Sequence, residues 1–181
     1  MPAAAHSPRS PRRAQLRFVL RFAPTAAVLL AAYYFPYAQE GRARAWINGF
    51  LHAYAAGAGF FLRAFDPSVR VAGQEILGAF AMRIVQTCDA MDVTLLFVSA
   101  VVSWKAPLGR RLVAAVLGVL ALGVLNLLRI CSLYLIGMRQ PALFETAHLD
   151  VWPVLILVVT LALFLGFTTW EARRIQAAIP R

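Results

Sequence analysis

Three long apolar runs constrain this chain more than any other feature of its sequence. They cover residues 22–37, 112–128 and 151–167 and contain no Asp, Glu, Lys or Arg. A helix needs about 20 apolar residues to cross roughly 30 Å of hydrocarbon, and each run approaches that length once its flanks are added. Hydrophobic residues make up 61% of the chain and charged residues 14%, a balance typical of bilayer-embedded proteins. The sequence therefore predicts an all-α integral membrane protein.

The apolar runs predict membrane spans at residues 18–38, 90–105, 111–136 and 150–170, in a fold with four to five transmembrane helices. Residues 43–65 are apolar enough to be the fifth. A fifth crossing would, however, put the acidic segment 66–92 on the side of the N-terminus. We therefore interpret 43–65 as a helix lying in or dipping into the outer interface.

The segment between this helix and the next span is short and mixed in character. Residues 66–87 alternate or cluster apolar positions around Ala72-Gly-Gln-Glu75, which is a turn signal. This pattern predicts a small extracytoplasmic β-hairpin. A helix over residues 74–85 fits the pattern nearly as well.

The formal net charge of +10 is concentrated at the ends of the apolar runs. Basic residues dominate the N-terminus, the 105–111 loop and the C-terminal tail, so these three segments are expected to face the cytoplasm of a cytoplasmic (inner) membrane. On a soluble domain this charge would suggest nucleic acid; here we expect membrane lipids and no nucleic-acid partner. We predict a disordered basic N-terminus (1–16), one membrane-embedded domain (17–170) and a basic cytoplasmic tail (171–181).

Arg129 is the most unusual residue of the third predicted span. Counted from the basic loop at 1.5 Å per residue, it lies roughly 27 Å along the helix, in the outer part of the membrane. An ionisable side chain there is costly unless it faces a polar cavity, which favours a functional role. Asn126 and Ser132 share its face of the helix. The alternative is that Arg129 reaches the outer interface or pairs with Asp89 or Asp92.

Cys88 stands directly before the second predicted span. Asp89 and Asp92 fit the N-cap and the third position of that helix, an acidic variant of the capping box. The positive end of the helix dipole favours a thiolate at Cys88, although the two carboxylates oppose it. Taken alone, a single cysteine is more often a small buried apolar residue.

Cys131 is the competing thiol. It lies about 200° around the helix from Arg129, which predicts a packing role away from the polar face. A disulfide between Cys131 and Cys88 in an oxidising compartment is the alternative.

His148 precedes the last span, on the same predicted side as Cys88 and the outer end of the Arg129 helix. A lone interfacial histidine is more often a structural hydrogen-bonding residue. The predicted proximity of Cys88, Arg129 and His148 favours a functional site instead. These residues supply a nucleophile, a positive group for a developing oxyanion and a proton carrier, respectively. The sequence has no zinc-type Cys/His spacing and no glycine-rich phosphate loop, so we expect no metal and no cofactor.

These elements together resemble the exosortase/archaeosortase family of membrane cysteine transpeptidases. The matching features are Cys88 at the head of a span, Asn126-Leu-Leu-Arg129-Ile in the next and His148 at the head of the last. The resemblance covers about residues 45–170. Family members often have Cys-Ser-Gly or Cys-Asn-Gly at the nucleophile, whereas this chain has Cys88-Asp89-Ala90.

The resemblance implies a specific chemistry. Such proteins cleave a C-terminal sorting signal of exported proteins, which consists of a short motif, a transmembrane helix and a basic tail, and pass the new carboxyl end to an acceptor nucleophile. It implies that Cys88 attacks the scissile carbonyl, Arg129 stabilises the thiolate and the oxyanion, and His148 protonates the departing amine and activates the acceptor. Asn126, Asp89 and Asp150 would be supporting residues.

Two other functions fit the same residues. An inactive relative could serve as a membrane assembly or scaffold protein, in line with the departure after Cys88. A transporter component could use Arg129 as a counter-charge for an anion. Thiol–disulfide exchange is disfavoured because the sequence has no Cys-x-x-Cys pair.

Overall fold

The computed structural model describes residues 11–35 and 41–177. Its helices are α1 (Pro11–Tyr34), α2 (Gly41–Leu62), α3 (Met91–Ser103), α4 (Leu108–Arg139), the single turn α5 (Phe144–Thr146) and α6 (Trp152–Ala177). Three short strands lie between α2 and α3: β1 (Arg70–Ala72), β2 (Glu75–Leu77) and β3 (Met82–Arg83). The described chain is thus mainly helical with one small sheet.

Within the described residues, three helical stretches are long and apolar enough to cross a membrane: Gln15–Tyr34, Leu108–Arg139 and Pro141–Ala177. α4 leaves Leu117 and Leu120 62% and 61% exposed, as expected for a surface that faces lipid rather than water. α3 is apolar but has 13 residues, about 20 Å of helix. The helical class is confirmed, and three stretches have the length and composition of membrane spans; the count of four to five crossings stays a prediction.

The helices pack through aromatic side chains set against small residues. Phe97 of α3 is 3% exposed and fits against Gly118 of α4, where an added methyl group would overlap the Phe97 ring. Trp104, at the end of α3, contacts the rings of Phe18 and Phe164, each at 5.7 Å between centroids. α1, α3, α4 and α6 therefore form one bundle.

α2 packs one stripe of side chains against the sheet and α4. The members of this stripe recur every three or four residues, which is the helical period: Ile47, Leu51, Ala55, Ala58 and Leu62. On its other side Trp46 and Phe60 are 66% and 70% exposed. Residues 41–62 are thus helical as predicted, and their placement in the interface stays a prediction.

The predicted hairpin is present, and the alternative helix over residues 74–85 is wrong. Val71 pairs with Ile76 across the antiparallel β1–β2 ladder, and Gly73 takes a positive φ of 60° in the two-residue loop. Ile76 is buried between two exposed neighbours, which is the period of a strand rather than of a helix. The sheet has a third strand beyond this two-stranded hairpin: β3 pairs antiparallel with β2 and is an edge strand.

A buried carboxylate joins the loops around the sheet to α4. Asp66 Oδ1 accepts hydrogen bonds from the backbone N–H and hydroxyl of Ser68 at 3.0 and 2.6 Å. Its Oδ2 accepts from the Tyr134 hydroxyl at 2.6 Å and from the Ala79 N–H at 2.9 Å. The bonds from Ser68, followed by those from Tyr134 and Ala79, hold the pKa of Asp66 well below its usual range. We call this end of the bundle the sheet end.

Two predicted boundaries differ from the structure. α1 begins at Pro11 and ends at Tyr34, so residues 11–16 are helical rather than disordered; residues 1–10 and 36–40 lie outside the described part. α6 continues to Ala177 and includes part of the predicted tail. Glu171 in this part is 2% exposed and pairs with Arg110 of α4 at 3.2 Å. Residues 178–181 also lie outside the description.

Candidate active site

Cys88 ends a short 3₁₀ turn, Gln86–Cys88, that connects the sheet to α3. Its backbone N–H donates to the Val85 carbonyl at 2.8 Å and closes this turn. Ala90 then adopts a left-handed conformation, with φ 56° and ψ 22°, before α3 begins at Met91. This reversal of the chain presents the half-buried Cys88 thiol beside the first turn of α3.

Arg129 lies on α4 and is 7% exposed, so protein rather than lipid surrounds most of its side chain. Asn126, one turn earlier, has no exposed surface, and the Ser132 hydroxyl, one turn later, donates to the Arg129 carbonyl at 2.9 Å. The predicted polar face of α4 is therefore enclosed. Among the described side chains, no ion pair joins Arg129 to Asp89 or Asp92.

His148 belongs to a five-residue π-helical segment, Ala147–Val151, that precedes α6. Short π-helical segments change the direction in which the side chains of a helix point, and they are frequent at functional sites. The imidazole stacks on Phe144 with ring centroids 5.8 Å apart and planes 13° apart, and Phe144 contacts Phe80 at 5.2 Å. This aromatic stack fixes the plane of the imidazole and thereby the directions of its two nitrogens.

The three side chains meet at the sheet end of the bundle. Cys88 Sγ lies 3.8 Å from His148 Nε2, and Arg129 Nη2 lies 3.4 Å from His148 Nδ1. The imidazole thus stands between the thiol and the guanidinium. Hydrogen bonds of catalytic groups are often long before substrate binds, so these distances are within the range of an unliganded site.

The order of these contacts determines the resting proton positions. A guanidinium can only donate hydrogen bonds, so His148 Nδ1 must present its lone pair to Arg129. The single proton of the neutral imidazole then lies on Nε2, directed at Cys88 Sγ; this tautomer follows from the donors and acceptors around the ring.

A cavity of about 310 Å³ opens onto these residues. The β3 region, α4 and the aromatic stack contribute most of its lining: Phe80, Ala81, Met82, Arg83, Ile84, Val85, Cys88, Arg129, Ile130, Leu133, Phe144 and His148. Its walls are mainly apolar, and its polar groups are the Cys88 thiol, the His148 imidazole and the guanidinium groups of Arg83 and Arg129. A carbonyl group in this cavity could reach the thiol and the guanidinium together.

Asp89 does not occupy the N-cap position that the sequence predicted, because Ala90 takes that position. Its Oδ1 instead accepts the Met91 N–H at 2.9 Å, and its Oδ2 accepts a hydrogen bond from the Tyr33 hydroxyl of α1. Asp89 is 2% exposed, so its carboxyl depends on these two hydrogen bonds. Asp89 thus attaches the cysteine segment to α1 and does not line the cavity.

Three buried polar atoms on this face of α4 have no hydrogen-bond partner among the described residues: the amide oxygen and nitrogen of Asn126 and the Nε of Arg129. Buried polar atoms are nearly always bonded to protein or to ordered water. Their positions on one face of α4 extend the polar interior of the site toward the middle of the helix.

The remaining predicted residues lie apart from the cavity. Cys131 and Cys88 are both free thiols, so the alternative disulfide is absent. Cys131 instead packs toward α2, with its sulfur 4.0 Å from the Ala58 carbonyl oxygen, as its helical position predicted. Asp150 is exposed and is not part of the cavity lining, so it has no supporting contact there. No group of three His, Cys, Asp or Glu side chains in the described residues is arranged to hold a metal ion.

Sequence reasoning missed three residues that shape the site. Phe144 lies four positions before His148, a spacing that places two side chains on one helical face and could have been noticed. Phe80 and Tyr33 come from distant segments, and nothing in their sequence surroundings indicates where they lie. Their roles depend on tertiary packing alone.

The comparisons with known proteins give no family for this chain. No protein-family model matches it, and neither a curated protein nor a solved structure matches it.

Proposed function

We propose that this chain is a membrane-embedded cysteine protease or transpeptidase of the exosortase/archaeosortase type. It would cleave C-terminal sorting signals of exported proteins through a thioester on Cys88. The observation that carries this proposal is the contact series from Cys88 Sγ through the His148 ring to Arg129 Nη2, at 3.8 and 3.4 Å. Three residues from separate segments supply the nucleophile, the proton carrier and the positive charge that acyl transfer needs.

The first half-reaction forms the thioester. Cys88 Sγ attacks the scissile carbonyl carbon, a C–S bond forms, and the carbonyl π electrons move to the oxygen. The guanidinium of Arg129 turns from His148 Nδ1 to this oxyanion. With Arg129 turned away, the imidazole proton moves from Nε2 to Nδ1 through solvent, and Nε2 accepts the thiol proton. Nε2 then delivers that proton to the departing amine as the C–N bond breaks.

The second half-reaction releases the product. The neutral His148 removes a proton from an acceptor amine or from water, which attacks the thioester carbonyl. Arg129 again stabilises the oxyanion, and the C–S bond breaks. His148 returns the proton to the sulfur, which restores the resting state. The mainly apolar walls of the cavity limit access of water and would favour transfer to the acceptor over hydrolysis.

The edge strand β3 supports a specific way of holding the substrate. Residues 80–85 form one wall of the cavity, and β3 pairs with β2 on one side only. An edge strand has backbone groups without a sheet partner, and an extended peptide can pair with them. The sorting motif would therefore lie extended along β3, with its scissile carbonyl directed at Cys88.

A membrane arrangement with four crossings supports this reaction. α1, the segment 89–104, α4 and α6 would cross, with α2 and the sheet on the outer face of the cytoplasmic membrane. Phe18 contacts Trp104 at one end and Tyr33 bonds to Asp89 at the other, so α1 and the 89–104 segment run antiparallel over the same height. A substrate anchored by its own helix would then present its motif at the depth of Cys88.

Substrate processing tests this function directly. A reporter carries the C-terminal segment of a protein from the same genome that ends in a short motif, an apolar helix and an Arg-rich tail. Co-expression with the parent chain should remove the tail, which is detected as a mass shift. Cys88→Ala should abolish removal, and the matched control Cys131→Ala should retain it. Added hydroxylamine should capture the acyl group as a hydroxamate at the new C-terminus.

The opposite pattern would refute the proposal. Tail removal by Cys88→Ala, or loss of removal in Cys131→Ala alone, would assign the chemistry elsewhere. Anion flux through reconstituted chains that is unchanged by Cys88→Ala and lost in Arg129→Gln would favour a transporter component instead.

A further inference from the structure

A second cavity lies at the end of the bundle opposite the sheet. Its volume is about 480 Å³, within the range of roughly 300–1,000 Å³ that is usual for small-molecule sites. α1 and the end of α3 form its lining: Gln15, Arg17, Phe18, Val19, Arg21, Ser103, Trp104 and Lys105. None of these residues belongs to the candidate active site, so the cavity needs an explanation of its own.

The rim of this cavity is positively charged. Arg17 and Arg21 are four residues apart on α1 and share one helical face, and Lys105 follows the end of α3. All three side chains are exposed. Among the described lining residues there is no acidic side chain to neutralise them. The charge therefore favours an anionic ligand.

The inner wall is aromatic. Phe18 lies edge-on to Trp104 with ring centroids 5.7 Å apart, and Val19 beside it is 53% exposed. A cavity with cations on one side and aromatic rings on the other matches a ligand that is itself amphipathic. Tryptophan at such a border is typical of the membrane interface.

Ser103 provides a second, independent indication of a ligand. This lining residue is 6% exposed, and its hydroxyl has no hydrogen-bond partner within the described chain. A buried hydroxyl normally has a partner, because leaving it unpaired costs about 1–3 kcal/mol. Oxygen atoms of a bound ligand would supply that partner.

We propose that this cavity binds the phosphate headgroup of an anionic phospholipid. Arg17, Arg21 and Lys105 would bind the phosphate, and the aromatic wall would contact the glycerol and the first acyl carbons. A lipid is favoured over a free phosphate because the membrane-length part of α1 is only 6% buried, which leaves an apolar surface on which acyl chains can continue. The proposal does not rest on the proposed enzymatic function.

Fluorescence quenching at Trp104 tests this site in the full chain. The variant Trp46→Phe/Trp152→Phe/Trp170→Phe leaves Trp104 as the only one of four tryptophans. Bromine-labelled phosphatidylglycerol, titrated into the detergent-solubilised protein, should quench Trp104 at a far lower mole fraction than bromine-labelled phosphatidylcholine. Adding Arg17→Gln/Arg21→Gln/Lys105→Gln should weaken phosphatidylglycerol binding on the order of 100-fold, from roughly fivefold per charge.

A control variant shows whether lipid binding depends on the charges that line the cavity or only on the net charge of the protein. Arg70→Gln/Arg139→Gln/Arg173→Gln removes the same net charge from exposed positions that do not line the cavity. It should weaken binding by less than about threefold, because exposed charges away from the site are screened. If the variant with all three lining substitutions does not fold, Lys105→Gln alone should still weaken phosphatidylglycerol binding about fivefold.

Three results would overturn the proposal. The first is equal quenching of Trp104 by the two bromine-labelled lipids. The second is an equal loss of binding in the lining variant and the control variant. The third is displacement of the labelled lipid by inorganic phosphate at the same concentration, which would assign the cavity to a free anion.

Discussion

The hydrogen bond from Tyr33 to Asp89 is the contact whose removal tests the site architecture most directly. Tyr33→Phe keeps the ring and removes only the hydroxyl that donates to Asp89 Oδ2. Asp89 is 2% exposed, so its carboxyl would be left with the Met91 N–H as its remaining described donor. Loss of a bond to a buried charged group costs about 1.5–3 kcal/mol. For a domain of this size we therefore expect the unfolding midpoint to fall by roughly 3–12 °C.

The assay is thermal unfolding of the full chain in detergent, as a double-mutant cycle. Asp89→Asn keeps the size of the side chain and removes the charge, so Tyr33→Phe should cost less in the Asp89→Asn background, with a coupling energy of about 1–2 kcal/mol. The neighbouring Tyr34, which is 44% exposed, provides the control Tyr34→Phe with an expected cost under about 0.5 kcal/mol. Equal midpoints for Tyr33→Phe and Tyr34→Phe would refute the reasoning.

Three further predictions concern the backbone, the loops at the sheet end and the guanidinium. Ala90→Gly should change the free energy of unfolding in detergent by no more than roughly 1 kcal/mol, because glycine relieves the strain of the left-handed conformation and this offsets the lost buried methyl group. Ala90→Val should lower it by at least about 2 kcal/mol, and equal losses in the two variants would contradict the positive φ. The pKa of Asp66 is lower in the folded chain than its value of about 3.9 in the unfolded chain, so the Asp66 carboxylate stabilises the fold above that pH and this stabilisation is lost as the pH falls below it. The unfolding midpoint of the parent chain should therefore fall in this acidic range, and the midpoint of Asp66→Asn should not show this part of the decrease. Arg129→Lys should reduce reporter processing about 10²–10³-fold, because a point charge cannot copy the guanidinium between imidazole and oxyanion; processing near the parent rate would remove Arg129 from the proposed mechanism.

The apolar runs predicted the helical membrane class because the length and composition of a spanning helix are local properties. The position of Arg129 on an enclosed polar face followed in the same way, since Asn126 and Ser132 lie one helical turn to either side. Cys131 faces away from the site for the same geometric reason. These features depend on the helical period alone.

Other features depend on packing that no local pattern reveals. The sequence predicted Asp89 at the N-cap of the helix, but Ala90 occupies the N-cap position with a positive φ. The Asp89 carboxylate instead accepts a hydrogen bond from Tyr33, which is distant in the sequence. β3 has only two residues, too few to show an alternation. The stack of Phe80 on Phe144 joins segments far apart in the chain. Asp150 was expected near the site from its proximity to His148 and is instead exposed.

The order of the three meeting side chains along the chain has a consequence for biosynthesis. Cys88 precedes His148 by 60 residues, and His148 lies near the start of the last membrane-length helical stretch, Pro141–Ala177. During synthesis at about 5–20 residues per second, the thiol leaves the ribosome several seconds before its imidazole partner. In a nascent or truncated chain, Cys88 therefore lacks its imidazole partner. The contact between Cys88 and His148 forms only after the final helix has joined the bundle.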